Sequence, residues 1–258
     1  MDHLSTGFVG GGRVTTIILA GLDRAGQRPP RVVVSDPSAM ALEALGSRVP
    51  AIELTSENEI AATCDVVFLA VPPPVIREVA AQVAPHLRPD AVVISLAPKL
   101  TLGGLVGMFG GFDRIVRVIP NAPSIVGAGY NPVCFGPGVD ITTRRVVLDL
   151  LDPLGECPQV AEADLEPYAI LTAMGPTYLW FQLYELLDQA GSAGLEREAA
   201  RRSLRAMVEG TLATMEQSGL PAAEVMDLVA IRPLGEGETS ILELYRSKLP
   251  PLLARLRP

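Results

Sequence analysis

Short apolar runs alternate with amphipathic stretches through roughly the first 160 residues, a rhythm that predicts strands followed by helices and a parallel sheet covered on its faces. A first strand ends at Gly7-Phe8-Val9, and further strands are expected over Arg31 to Val34, Asp65 to Val71, Ala91 to Ser95 and Arg114 to Val118. Amphipathic spacing predicts helices over Val14 to Gly26, Ala39 to Gly46, Glu59 to Thr63 and Pro74 to Ala84, the third opened by the capping-box spacing Ser56-x-x-Glu59. Glycine and proline cluster at the joints, as at Pro29-Pro30, Pro72-Pro73-Pro74 and Gly103-Gly104. A last strand over Pro132 to Phe135 is expected to close the sheet.

From about Asp164 the strand pattern stops. Helical segments follow near 164–174, 177–192, 196–218 and 221–230, with a fifth from 239. Residues 1–150 carry 12 basic and 13 acidic residues and residues 151–258 carry 9 and 16, so nearly all the net charge sits in the helical half. The expected fold is α/β, with a parallel-sheet domain over 1–162 followed by an all-α domain over 163–258. Apolar positions are dense in that second part, as from Ile170 to Leu187, and predict a face buried against a second subunit.

Composition narrows the function. The chain has 258 residues, 48% hydrophobic and 19% charged, which is ample for a core, and a net charge of −8 speaks against nucleic acid and anionic membranes as partners. Its apolar runs, such as Val66 to Pro74, fall short of the about 18 residues of a membrane span. The N-terminus carries an acid, Asp2, and lacks an apolar stretch of signal-peptide type, so a cytoplasmic location is expected. Cys64, Cys134 and Cys157 are widely spaced and read as buried free thiols. With only His3 and His86, neither a histidine triad nor a metal site is expected.

The strongest chemical signal is Gly7-Phe8-Val9-Gly10-Gly11-Gly12-Arg13-Val14-Thr15, between the first strand and a helix. Gly10 and Gly12 have the spacing of the first two fingerprint glycines, one for the tight turn and one for close approach of a pyrophosphate; Thr15 stands at the third small position. Asp36 ends the second strand 24 positions after Gly12, where a carboxylate would accept from a ribose 2′-hydroxyl and repel a 2′-phosphate, favouring NAD over NADP. The alternative is a turn residue before Pro37 at an ordinary helix start.

Several of these stretches, in order, resemble the pyrroline-5-carboxylate reductase family. GFVGGGRV is similar to that family's GFIGxGNM, Asp65-Val-Val-Phe-Leu-Ala-Val71-Pro to its DVVFLAVKP, and Val93-Ile-Ser-Leu-Ala97 to its ISxAAG. Arg114-Ile-Val-Arg-Val-Ile-Pro-Asn121-Ala-Pro123-Ser-Ile-Val-Gly127 resembles RxxRxMPNTPxxVG. Gly175-Pro176-Thr-Tyr178, Glu185-Leu-Leu-Asp-Gln-Ala-Gly191 and Leu195-Glu-Arg-Glu-Ala199 resemble GPAY, EAxxDAG and GLPRExA. The resemblance implies that residues 1–162 are a Rossmann-type dinucleotide-binding domain and residues 163–258 an all-α dimerisation and substrate domain, in a homodimer, with higher assembly open, in which NAD(P)H reduces a cyclic imine to a cyclic amine such as proline. It implies that Gly10, Gly12, Arg13 and Val14 hold the pyrophosphate, Ser35 and Asp36 the adenosine ribose, and Ala70, Val71 and Pro72 flank the cofactor, with Ala97, Pro98 and Asn121 beside the nicotinamide.

The departures fall on the substrate side. Thr172-Ala173-Met174-Gly175-Pro176 stands where the family has SGSGP, so Met174, Gly175 and Pro176 are expected to line a smaller, drier pocket. Arg232-Pro-Leu-Gly-Glu236-Gly-Glu238-Thr239-Ser240 replaces SPGGTT and brings two carboxylates to a helix N-terminus. Ser240 or its neighbour Thr239 falls on the family's hydroxyl position, or Ser240-x-x-Glu243 caps the last helix. Arg232 either receives a substrate carboxylate or pairs with Glu236 or Glu238. Lys99, in Ala97-Pro98-Lys99 at the family's AAG turn, is either an electrostatic partner or proton source at the active site or a solvated loop lysine. The aromatic residues Tyr178, Trp180, Phe181 and Tyr184 suggest dimer packing over a cage for a cation, and Glu185 an interface position. The alternatives to imine reduction are a dinucleotide-binding regulatory homodimer and a reductase of another imine or a carbonyl.

Overall fold

The computed structural model describes residues 3–257. These divide into two units, residues 3–174 with 253–257, and residues 175–252. In the first unit the strands are β1 (Ser5–Val9), β2 (Arg31–Ser35), β3 (Glu53–Thr55), β4 (Val66–Leu69), β5 (Val92–Ser95), β6 (Ile115–Val118), β7 (Gly129–Tyr130), β8 (Val133–Phe135) and β9 (Gly155–Glu156). Its helices are α1 (Arg13–Arg24), α2 (Ala39–Arg48), α3 (Asn58–Ala62), α4 (Ile76–Val83), α5 (Leu102–Met108), α6 (Ile141–Leu151) and α7 (Leu165–Tyr168). Seven strands form one sheet in the order β3-β2-β1-β4-β5-β6-β8, parallel except for β8, which pairs antiparallel with β6. β7 and β9 make a small parallel pair apart from it.

The period of two along each strand builds a core on both faces. Phe8, Val34, Phe68, Ile94 and Val116 share one cluster with Ile18, Leu19 and Leu22 of α1 and Leu150 and Leu151 of α6. Their neighbours Val9, Val33, Val67, Val93 and Ile115 share the other with Ile76 and Val79 of α4 and Leu105 of α5. Phe8 and Phe68 stack with ring centroids 4.4 Å apart in adjacent strands. Removing such a ring from a closed core costs about 3–5 kcal/mol.

Several sequence expectations need correction. The Ser56 capping box does not form: Glu57 stands at the cap of α3 without a side-chain cap bond, its own N–H being held by Thr55 Oγ1 at 3.1 Å. Strands β3, β7 and β9 and helices α5 and α6 were not expected; the helices start at Thr101 and Asp140, whose side chains accept from Gly104 and Thr143. The first compact unit extends to Met174 and includes Glu162 and Glu166, which bind Arg117 of β6.

The second unit is helical: α8 (Pro176–Ser192), α9 (Arg197–Gln217), α10 (Ala222–Asp227) and most of α11 (Gly235–Leu256). Tyr178 of α8 meets Tyr245 of α11 edge to face at 5.8 Å. No described residue of α8 is buried, and Leu179, Trp180, Phe181 and Tyr184 are exposed.

Candidate active site

Six parallel strands end at one edge of the sheet, and the loops leaving five of them, β1, β2, β4, β5 and β6, carry most of the expected cofactor residues. Strand order reverses between β1 and β4, which makes a crevice at the carboxyl edge where ligands of such sheets bind. Gly10 lies on one wall of it with φ 108, and a Cβ there would sit 2.6 Å from the Ala70 carbonyl oxygen and 3.1 Å from Val71, so only glycine fits. Its N–H donates to Ser35 O at 2.7 Å and its carbonyl accepts from the buried Thr15 hydroxyl at 2.5 Å, which explains a threonine at the third fingerprint position. Gly12 is exposed at the start of α1, where no side chain caps the helix and an added Cβ would meet nothing within 4 Å. Free amide N–H groups, the positive end of a helix and open space beside a glycine are what a pyrophosphate requires. Arg13, exposed, and Val14, half-buried, follow in the first turn.

Asp36 accepts the Gly11 N–H on Oδ2 and the Ser38 N–H on Oδ1, each at 2.8 Å. One bond on each oxygen leaves acceptor capacity for ribose hydroxyls. Ser35 is different: it is fully buried, with its hydroxyl on Asn58 Oδ1 at 2.8 Å and near Phe8 O, so its side chain serves strand packing and is not free for a ribose.

On the other side of the crevice, Pro72 follows Ala70 and Val71 after β4, and buried Ala97 with Pro98 and exposed Lys99 follows β5. Asn121 is nearly buried after β6. Its amide donates to Thr172 O at 3.2 Å and its Oδ1 accepts from Tyr130 N at 3.1 Å, which ties the segment leading to Met174 to this edge.

A buried charge cluster escaped the sequence reading. Arg117 has no exposed side-chain surface and binds Glu166 at 2.5 Å and Glu162 at 3.1 Å. The available signal was an arginine inside an otherwise apolar strand, Ile115-Val-Arg-Val118, since such a residue is rarely buried without a carboxylate.

Within the helical unit, Gly175 and Pro176 open α8 and are half-buried. The stretch from Gly235 onward is helix, so Thr239 and Ser240 are exposed positions inside α11 and Ser240 does not cap it. Glu236 and Glu238 lie in the first turn, where their charge stabilises the helix's positive end and occupies the place of an external anion. Arg232 donates to Met226 O, and among the described residues it has no ion pair with Glu236 or Glu238. The cysteines are free, and burial raises all three thiols, Cys157 to about 11, so none is an activated nucleophile. No group of His, Cys, Asp or Glu that could hold a metal exists among the described residues.

Comparison with known proteins agrees with this geometry. Residues 5–99 match the family described as NADP oxidoreductase, coenzyme F420-dependent. Pyrroline-5-carboxylate reductase of Corynebacterium melassecola is 29% identical over 242 residues, 93% of this chain and 89% of that protein. The Escherichia coli protein of that name is 28% identical, covering 86% of this chain and 83% of its own. Over most of its length the chain is therefore similar to pyrroline-5-carboxylate reductases. The likeness in fold extends over nearly the whole chain: the Coxiella burnetii pyrroline-5-carboxylate reductase superposes with TM-score 0.70 at 27% identity over 99% of this chain and 95% of that one. The Plasmodium falciparum pyrroline carboxylate reductase, solved with NADP bound, gives 0.74 at 23% identity over 99% and 95%.

Proposed function

We propose that the protein is an NAD(P)H-dependent reductase that reduces a cyclic imine to a cyclic amine such as proline. The observation that carries this reading is the open, uncapped start of α1 at the sheet's switch point, in a chain whose relatives named pyrroline-5-carboxylate reductase align over most of its length.

When bound, the nicotinamide supplies a hydride for the imine carbon. The chain's own part is to bind and orient. Gly10 lets the turn pass against Ala70, and Gly12, Arg13 and Val14 present N–H groups and a guanidinium to phosphate. Asp36 offers its remaining lone pairs to ribose hydroxyls, and its charge disfavours a 2′-phosphate, so NADH is the expected coenzyme. Ala97, Pro98 and Asn121 close the nicotinamide side, with Asn121 fixed by Thr172 and Tyr130. Catalysis of this kind is mostly positioning and requires few acid–base groups. The substrate side falls to Met174, Gly175, Pro176 and Arg232, with Thr239 and Ser240 as hydroxyl donors and Lys99 as cation.

We further read residues 163–258 as the dimerisation domain, following a dinucleotide domain over 1–162, because so much apolar surface on α8 is uncovered. The free thiols suit a reducing cytoplasm. The test of the reaction is isotopic: purified protein, pyrroline-5-carboxylate and NADH carrying deuterium at both C4 positions should yield proline one mass unit heavier by mass spectrometry. Unlabelled proline or none would reject hydride transfer to this imine.

A further inference from the structure

Arg117 is wholly buried on β6 between the carboxylates of Glu166 and Glu162. Buried ion clusters add little net stability over apolar side chains of the same volume, so this one calls for another account. The remaining bonds of the two carboxylates supply it. Glu166 Oε1 accepts the backbone N–H of Lys99 at 3.4 Å, and Glu162 Oε1 that of Leu102 at 2.5 Å, so the loop after β5 is tied to the same buried charge at two points. Lys99 has φ 72, the left-handed region that non-glycine residues avoid; among the described residues only Ala51 shares this. Strained backbone that persists under such restraint clusters at functional sites. Lys99 is also exposed, and no other lysine or arginine occurs in the stretches 70–75, 96–101 and 119–121 that leave β4, β5 and β6 at the carboxyl edge.

We propose that Glu166 and Arg117 are positioning residues that hold Lys99 in this conformation, and that the Lys99 ammonium receives the carboxylate of an anionic imine at the carboxyl edge of the sheet. The proposal rests on the hydride-transfer reading above and narrows its substrate to imines that carry a negative charge. A loop whose backbone is fixed before binding loses less entropy on capturing the anion, and an ammonium–carboxylate bond is of the strong, charge-assisted kind.

The experiment compares wild type, Lys99→Gly, Lys99→Arg and Glu166→Gln on pyrroline-5-carboxylate and on 1-pyrroline, the same ring without the carboxylate, with Tm and dinucleotide Kd measured alongside. Glycine accepts φ 72 without strain, so Lys99→Gly should hold or raise Tm. Yet its kcat/KM for the carboxylate-bearing imine should fall about tenfold or more relative to 1-pyrroline, through KM. Lys99→Arg should keep most of that discrimination. Glu166→Gln should lose part of it with the ammonium still present, which a merely structural carboxylate would not cause; should that variant fail to fold, the two Lys99 variants still decide. Unchanged discrimination in Lys99→Gly, or a wild type that prefers 1-pyrroline, overturns the proposal while imine reduction stands. A wild type inert toward both imines removes the functional reading, and the proposal with it.

Discussion

At the scale of single residues, the two fingerprint glycines do different work and are separable by mutation. Gly10 is required by the fold, since a Cβ would strike the Ala70 carbonyl, whereas Gly12 borders open space. Gly12→Val should therefore leave Tm within a few degrees of wild type while weakening NADH binding by more than tenfold, as read by a fluorescence titration; this is the loss of about 1.4 kcal/mol or more of phosphate contact. Equal affinity would place the pyrophosphate elsewhere. Asp36→Ser removes a negative charge from the ribose position and should shift the preference toward NADPH by roughly tenfold or more, the scale of one like-charge contact. A preference for NADPH already in wild type would contradict the role given to Asp36. These residues were legible because glycine spacing and an acid at a strand end report backbone geometry directly. Ser35 misled, since its neighbour to Asp36 said nothing of a hydroxyl turned inward onto Asn58. Arg117, Glu162 and Glu166 were invisible because their meeting joins positions 45 and 49 residues apart.

At the scale of elements, continuous apolar strands such as β1, β4 and β5 announced themselves, while those that escaped had weak local patterns. β3 is a three-residue, largely exposed edge, Glu53-Leu-Thr55. α5 contains Gly103, Gly104 and Gly107, poor helix formers that the Thr101 cap and the burial of Leu105 offset. Local signals also over-promised: Ser56 and Ser240 both match a capping spacing, yet one helix starts later and the other earlier. Asp140 shows a cap that does form, accepting from Thr143 N at 2.8 Å and pairing with Arg114. The bond from the Thr143 N–H, followed by Arg114, holds its pKa below the ordinary carboxylate value. A lowered folded value means that the cap stabilises above the unfolded pKa of about 3.9 and is lost as pH falls through the folded value. Asp140→Ala should therefore lower Tm at pH 7, and the difference should shrink in melts below about pH 4. A difference independent of pH would show that the cap's charge is not what stabilises α6.

For the whole molecule, the sheet unit closes its own core but the helices leave apolar side chains uncovered, with Phe181 and Tyr184 each 68% exposed. A second copy of the chain is the expected cover, and sedimentation velocity should show a dimer that Phe181→Glu with Tyr184→Glu converts to monomer. A monomeric wild type would reject that assembly. The density of apolar residues from Ile170 onward made apolar helices in this region readable in sequence; what covers them was not, because contacts between chains leave no local pattern. The central claim is that this chain moves a hydride from NADH to a cyclic imine, and the most direct test is the loss of NADH absorbance, run in parallel with NADPH, on adding racemic pyrroline-5-carboxylate to the purified protein. Rapid oxidation, faster with NADH, is the predicted result. Tight dinucleotide binding without oxidation of either coenzyme would contradict the claim and leave a dinucleotide-binding protein that has kept the fold without the chemistry.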